Sequence, residues 1–109
     1  MGNDFDISKI EGFDWDKGNI DKNLKKHNVT NEEGEEVFSN NPFVLKDERH
    51  SEQEQRLKAL GRTNKGRLLF ISFTIRKVAQ NIKIRIISCR DMNRKEEVRY
   101  EEVQKNTRI

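Results

Sequence analysis

The sequence has little cysteine and no long hydrophobic run, and each shortage excludes a class of protein. Its 109 residues include one cysteine, Cys89, so no disulfide can form within the chain, which fits a reducing compartment. Cys89 has no cysteine or histidine near it at metal-ligand spacing. The longest apolar run is too short to span a membrane, and we find no charged-then-apolar leader. We therefore expect a cytoplasmic protein with no membrane span, and we assign Cys89 neither a metal-binding nor a nucleophilic role.

The remaining apolar residues are concentrated in one part of the chain. The hydrophobic fraction is 32% and the charged fraction 38%, yet the apolar residues cluster between Leu57 and Ile87. This clustering favours a folded core over disorder. We expect a weakly ordered segment at residues 1–12, a single domain at 13–105 and a short tail at 106–109.

Charge is divided unevenly between the two halves. Residues 1–54 carry 7 Lys/Arg and 14 Asp/Glu, whereas residues 55–109 carry 15 Lys/Arg and 5 Asp/Glu. A basic half on a small domain suggests a polyanionic partner such as RNA. The alternative is that the two halves neutralise each other in the folded protein.

Local patterns predict an α+β domain with an antiparallel sheet of three to four strands, N-terminal helices and a C-terminal helix. Strand patterns cover residues 13–16, 43–45, 54–62, 67–76 and 82–90. Helix patterns cover 19–27 and 30–38, and a last helix, capped by Asp91 or Asn93, runs to about Lys105. Thr30 and Glu33 have the spacing of a capping box. The connections at 63–66 and 77–81 are so short that the strands they join must be antiparallel.

Several arginines do not fit the core of such a sheet. Side chains alternate between the two faces of a strand, so Ser72, Thr74 and Arg76 of residues 67–76 share one face. In residues 82–90, the same alternation puts Arg85 and Cys89 on one face and Ile86 and Ser88 on the other. An arginine offers five donors in a planar fork that matches a phosphate. The alternative is that each arginine pairs with a carboxylate of the acidic half.

An ordered series of short motifs resembles the BrnT family of toxins from type II toxin–antitoxin systems. The matching pieces are Phe13-Asp14-Trp15-Asp16, Lys22-Asn23, Lys26-His27-Asn28-Val29, Glu32-Glu33, Val37-Phe38, Asp47, Arg49-His50-Ser51, Glu54, Arg56, Leu60-Gly61, Gly66-Arg67, Arg85 to Arg90, Glu96 and Tyr100. Gly34 and Cys89 depart from the pattern, which has alanine at both positions.

The resemblance implies a RelE-like fold and a metal-independent endoribonuclease that inhibits translation by cutting RNA. It also implies a BrnA-like ribbon-helix-helix antitoxin, in a toxin–antitoxin heterotetramer that binds operator DNA through the antitoxin. Cleavage would proceed by attack of the 2′-hydroxyl on the adjacent phosphate, which needs a base, an acid and cations.

Candidate residues follow from that chemistry. For catalysis we predict His27, His50, Glu54, Arg76, Arg85 and Arg90, and for RNA binding Lys26, Arg62, Arg67 and Tyr100. Histidine titrates near neutral pH and can act as acid or base.

Each of these roles has a structural alternative. His27 could cap a helix, His50 could make a loop hydrogen bond, and Glu54 could pair with Arg56 or Lys58. Tyr100 could pack the last helix onto the sheet instead of stacking on a base. At the level of function, the alternative is a basic module that binds RNA or a protein without catalysis.

Overall fold

The computed structural model describes residues 10–17, 20–47 and 55–107. In this part of the chain, two helices are followed by four strands and a third helix, in the α+β order that the sequence predicts. In chain order they are α1 (Lys22–His27), α2 (Asn31–Ser39), β1 (Phe43–Lys46), β2 (Arg56–Arg62), β3 (Leu68–Val78), β4 (Asn81–Asp91) and α3 (Arg94–Thr107).

The four strands form one sheet in the order β1-β2-β3-β4, with every neighbouring pair antiparallel. The prediction of antiparallel neighbours is therefore confirmed. The turn between β2 and β3 includes Gly66, whose φ of 89° is accessible to glycine at no steric cost. β3 and β4 continue beyond Arg56, the first residue of β2, and are joined by a tight turn at residues 79–80.

Residues ahead of α1 extend the sheet beyond β4. Phe13 forms a parallel bridge with Ile84, and the Asp14 N–H donates to the Ile84 carbonyl at 2.8 Å. The Glu11 N–H donates to the Ile82 carbonyl at 2.8 Å. These bonds satisfy backbone groups that an edge strand would otherwise expose.

Side-chain caps fix where the two longer helices begin. The Thr30 hydroxyl accepts from the Glu33 N–H at 3.1 Å, and the Glu33 carboxylate accepts from the Thr30 N–H at 2.9 Å. The predicted capping box is thus confirmed. At the start of α3, Oδ1 of Asn93 accepts from the Glu96 N–H at 2.9 Å, and the Glu96 carboxylate accepts from the Asn93 N–H at 2.8 Å. α3 begins immediately after Asn93.

The main core lies between α2 and one side of the sheet, which we call the α2 face. Its buried members are Val29, Val37, Phe38, Leu57, Ala59, Leu69, Ile71, Phe73, Ile84, Ile86 and Cys89. The Phe38 and Phe73 rings meet edge to face, with centroids 5.0 Å apart. Gly61 allows α2 to lie close to β2, because a Cβ at Gly61 would stand 2.6 Å from Cγ1 of Val37.

A smaller core lies on the opposite side of the sheet. There, Leu60, Met92 and Tyr100 are buried against Phe43, Leu68 and Phe70, so α3 covers one end of that side. In the described part of the chain, no helix is long and apolar enough to cross a membrane.

Candidate functional site

The side of the sheet opposite the α2 face carries most of the strand cations, and we call it the arginine face. Directly paired residues of antiparallel strands share a face, so the strand registers define its members. They are Arg56, Lys58, Leu60 and Arg62 on β2, Leu68, Phe70, Ser72, Thr74 and Arg76 on β3, and Lys83, Arg85, Ser88 and Arg90 on β4. The sequence prediction for β3 is confirmed by this register.

A β-bulge in β4 decides which residues of that strand reach the arginine face. Phe73 pairs with Ile86 and Ser72 pairs with Ser88, so Ile87 is the extra residue of β4 at the bulge. Strict alternation had placed Cys89 with Arg85, and this prediction is wrong. Cys89 lies in the α2-face core with 1% exposure, and Arg90 shares the arginine face with Arg85.

Arg85 is held by a carboxylate from the segment that precedes α1. Its Nη2 donates to Oδ2 of Asp14 at 2.9 Å, and both side chains are 28% exposed. The Asp14 backbone is itself hydrogen-bonded to β4, so this carboxylate is fixed beside the strand. Nε of Arg85 is buried and has no hydrogen-bond partner in the described structure.

Arg76, on β3, lies on the same face as Arg85, on the neighbouring strand β4. Arg85 pairs directly with Thr74, two residues before Arg76, which makes Arg76 and Arg85 diagonal neighbours. Diagonal neighbours across an antiparallel pair have Cα atoms roughly 7–8 Å apart, within reach of two long side chains. The structure therefore brings together two of the three predicted phosphate-binding arginines.

Arg90 lies further along the arginine face, under the start of α3. Its two terminal nitrogens donate to the two carboxylate oxygens of Glu96 at 2.9 and 3.0 Å, and its guanidinium stands 4.2 Å from the centroid of Phe70. Burial opposes ionisation of Glu96, but hydrogen bonds from Arg90 and from the Asn93 N–H outweigh it and lower the pKa of Glu96. These contacts also give Arg90 a structural role in docking α3.

Arg67 is the centre of an ion-pair cluster on the other side of the sheet. Its Nε and Nη2 donate to Asp91 at 2.7 and 3.0 Å, and its Nη1 donates to Glu33 at 3.2 Å and to the Asn28 carbonyl at 2.9 Å. The Arg67 fork thus ties α2, β4 and the end of α1 together. Its predicted role in RNA binding stays a prediction.

The cluster around Arg67 shifts the acid–base behaviour of its carboxylates. Hydrogen bonds from Arg67 lower the pKa of Asp91. A backbone hydrogen bond from Thr30 lowers the pKa of Glu33, and Arg67 lowers it further. The hydrogen bond from Asp91 contributes most to raising the pKa of Arg67.

His27 belongs to the neighbourhood of Arg67 and not to that of Arg85. It is the last residue of α1, its carbonyl accepts from Nη2 of Arg67 at 3.4 Å, and its charge acts on Asp91. Asp91 and Arg85 are separated by six residues of β4, or roughly 15–20 Å along a strand. The structure therefore does not place His27 beside Arg85.

The other predicted residues are dispersed. Lys26 is exposed on α1 and Arg62 is exposed at the end of β2 on the arginine face. Tyr100 is 4% exposed between Leu60 and Met92, the packing that was its alternative role. His50 and Glu54 lie outside the described residues.

Sequence reasoning missed Thr74 and did not give Asp14 a role in the site. Thr74 is 1% exposed between Arg56 and Arg85, its partners on the two neighbouring strands. The available signal was the series Ser72, Thr74, Arg76, two small hydroxyls leading to a cation on one face. Among the described residues, no group of histidine, cysteine and carboxylate side chains could hold a metal ion.

The chain resembles known proteins at the level of a family. The family model described as "Ribonuclease toxin, BrnT, of type II toxin-antitoxin system" matches residues 15–96, more than half of the chain. This range includes β1 to β4 and therefore the whole arginine face. No curated protein matches the chain.

Proposed function

Because the chain belongs to the BrnT family of ribonuclease toxins, we propose that it is an endoribonuclease that cuts RNA without a metal ion and so inhibits translation in the cytoplasm. We place the RNA on the arginine face. The observation that carries this placement is the arrangement of Arg76 and Arg85 as diagonal neighbours on one side of the sheet, with Arg90 on the same side.

The proposed reaction uses the RNA's own 2′-hydroxyl as nucleophile on the adjacent phosphate. It yields a 2′,3′-cyclic phosphate and a 5′-hydroxyl, and the transition state carries extra negative charge on the phosphorane oxygens. Guanidinium groups held beside that charge stabilise it more than they stabilise the bound RNA, which is what accelerates the reaction. We assign this role to Arg76 and Arg85, with Arg90 supporting it from further along the face.

For the proton transfers we keep His27, His50 and Glu54 as the proposed acid and base. His50 and Glu54 precede Arg56 in sequence by six and two residues, and Arg56 opens β2 on the arginine face. His27 acts on Asp91, which is roughly 15–20 Å from Arg85 along β4, so His27 can act on the same phosphate only after a rearrangement. We therefore rank His50 and Glu54 ahead of His27. Lys26, Arg62 and Arg67 remain proposed RNA contacts, whereas Tyr100 is buried with Leu60 and Met92 and can stack on a base only after α3 moves.

The decisive experiment is cleavage of end-labelled RNA with and without a chelator. We expect chelator-resistant cutting that leaves cyclic-phosphate ends. Arg85→Met should reduce the rate by about 100-fold, because removing one donor to a developing oxyanion has that order of effect. Lys65→Met, which alters an exposed cation in the β2–β3 turn, is the matched control and should cut at the normal rate.

Two results would contradict the proposal. Loss of cutting in the chelator would show that a metal ion is required. Salt-sensitive RNA binding with no cutting at all would instead support the non-catalytic binding module.

The family assignment also implies an antitoxin as partner. We propose a BrnA-like ribbon-helix-helix protein that forms a heterotetramer with the toxin and carries the complex to operator DNA. Expression of this chain alone should arrest growth, and co-expression of the product of the adjacent gene should restore it. Arrest that persists with the adjacent gene product would contradict this pairing.

A further inference from the structure

Two buried polar atoms on the arginine face have no hydrogen-bond partner in the described structure. One is the Thr74 hydroxyl oxygen and the other is Nε of Arg85. They belong to one directly paired position of β3 and β4, so their Cα atoms are cross-strand neighbours. The coincidence of both on a single pair calls for a physical reason.

An unsatisfied hydroxyl inside a protein is unfavourable. Leaving such a group buried and unpaired carries its full desolvation cost, and native proteins contain few of them. Valine has the shape of threonine without the hydroxyl, so it would avoid this cost at the same position. Thr63 provides the contrast within this chain: it is also buried, at 3% exposure, but its hydroxyl accepts from the Arg67 N–H at 3.1 Å.

The surroundings of Thr74 and Arg85 favour an anionic ligand. Arg56 pairs with Thr74 from β2, and Arg76 and Lys83 follow on the same face. Asp14 engages Arg85 through Nη2 and leaves Nε as a donor. A phosphate oxygen can accept from a hydroxyl and from a guanidinium N–H at the same time.

We infer that Thr74 and Arg85 form a phosphate subsite for the RNA backbone, in which the Thr74 hydroxyl and Nε–H of Arg85 donate to one phosphate group. Asp14 is a positioning residue in this arrangement, because it holds the guanidinium in place through its other nitrogen. The identity of the ligand as RNA rests on the proposed function. The subsite itself rests on the two unpartnered atoms and the cations around them.

The test compares Thr74→Val with Thr63→Val in the full chain. The probe is a fully 2′-O-methylated RNA, which cannot be cut because it lacks the nucleophile, and its affinity is measured by fluorescence anisotropy at several salt concentrations. Thr74→Val should bind it about tenfold more weakly with an unchanged salt slope, since the lost donor is neutral. Arg85→Met should weaken binding and reduce the slope by about 0.7, the value for one phosphate contact on a single strand.

Stability separates this role from a structural one. Thr74→Val should unfold at the same or a higher denaturant concentration, because it removes an unpaired hydroxyl. Thr63→Val should be less stable because it removes the hydrogen bond that the Thr63 hydroxyl accepts from the Arg67 N–H. It should bind RNA as tightly as the wild type. A Thr74→Val protein that binds the methylated RNA as tightly as the wild type overturns the inference, as does a wild type that does not bind it.

The same experiment keeps the two proposals apart. If unmodified RNA stays intact but the methylated RNA binds with the expected dependence on Thr74, the ribonuclease proposal is contradicted and the inferred phosphate subsite is supported. If unmodified RNA is cut at equal rates by wild type and Thr74→Val, and both bind the methylated RNA equally, the ribonuclease stands and the subsite fails.

Discussion

The α2 face and the arginine face share strands β2 to β4 but differ in the side chains that they carry. On the α2 face, apolar side chains pack against α2 with almost no exposure. On the arginine face, cations and hydroxyls occupy the middle of the sheet, and only the end near α3 has an apolar cluster. The difference shows that stability comes chiefly from one face, which leaves the other available for charged groups that a core could not hold.

Two phenylalanines on β3 give the strongest test of this contrast. Phe73 is fully buried on the α2 face, whereas Phe70 is half-buried on the arginine face beneath Arg90. Phe73→Ala should lower the free energy of unfolding by about 3–5 kcal/mol, the usual cost of a large cavity. Phe70→Ala should cost clearly less, as measured by denaturant unfolding. Equal losses would mean that both faces contribute alike to stability.

Gly61→Ala tests how closely α2 approaches the sheet. The added methyl would stand 2.6 Å from Cγ1 of Val37 and 3.3 Å from Cβ of Pro42, so the Val37 side chain or α2 itself must shift. We expect a loss of about 1–3 kcal/mol in unfolding free energy, typical of an overpacked core. Val37→Ala in the same chain should recover part of this loss. Simple additivity of the two substitutions would show that the contact with Val37 is not the cause.

Arg67 should make stability depend on pH in the acid range. The pKa values of Glu33 and Asp91 are lowered in the folded protein, so their contribution is complete above the ordinary carboxyl pKa of about 4 and is lost as pH falls further. Arg67→Met should therefore be less stable than wild type at pH 7, by less than about 1 kcal/mol for each partly exposed pair. The difference should shrink toward pH 2.

The control for this measurement is Arg94→Met. Arg94 is 80% exposed and is 3.4 Å from Glu97, so its removal should leave the pH profile unchanged. A constant difference between Arg67→Met and wild type from pH 7 to pH 2 would contradict the assignment of the lowered pKa values to Arg67.

Thiol reactivity at positions 88 and 89 tests the bulge in β4. These substitutions are expected to change stability the least. Burial raises the pKa of Cys89 to about 12, so the native thiol should resist alkylation at pH 8. A protein carrying Ser88→Cys and Cys89→Ala places its thiol on the arginine face instead, and it should react at least about 100-fold faster. Equal rates would mean that residues 88 and 89 do not face opposite sides.

Features that depend on local sequence could be predicted. The Thr30–Glu33 capping box forms as expected, because both partners lie within one helical turn. The faces of β3 follow simple alternation because that strand takes no extra residue. The short connections between strands fix antiparallel pairing, whatever the packing around them.

Features that depend on contacts between distant residues could not be predicted. The bulge at Ile87 inverted the expected faces of Cys89 and Arg90, and no turn residue marks it in the sequence. Arg67 meets Asp91, 24 residues away, and Glu33, 34 residues away, and only the fold brings these partners together. The unpartnered hydroxyl of Thr74 is likewise invisible until its neighbours are in place.

The place of Gly34 in α2 is also explained only by the fold. A Cβ on Gly34 would stand 3.3 Å from Cδ1 of Ile86, which is a tight contact, and 3.7 Å from Sγ of Cys89, which is an ordinary one. The absence of a side chain at Gly34 therefore lets α2 lie close to β4.

The bulge in β4 links the number of residues in that strand to the faces that they occupy. Deleting Ile87 would remove the bulge and leave the faces of the residues that follow unchanged, because Ser88 would then follow Ile86 directly in a regular strand. A strand that kept Ile87 but lost the bulge would instead turn Arg90 toward the hydrocarbon interior and Cys89 toward Arg85. Within the BrnT family, the loss of this one residue should therefore be tolerated.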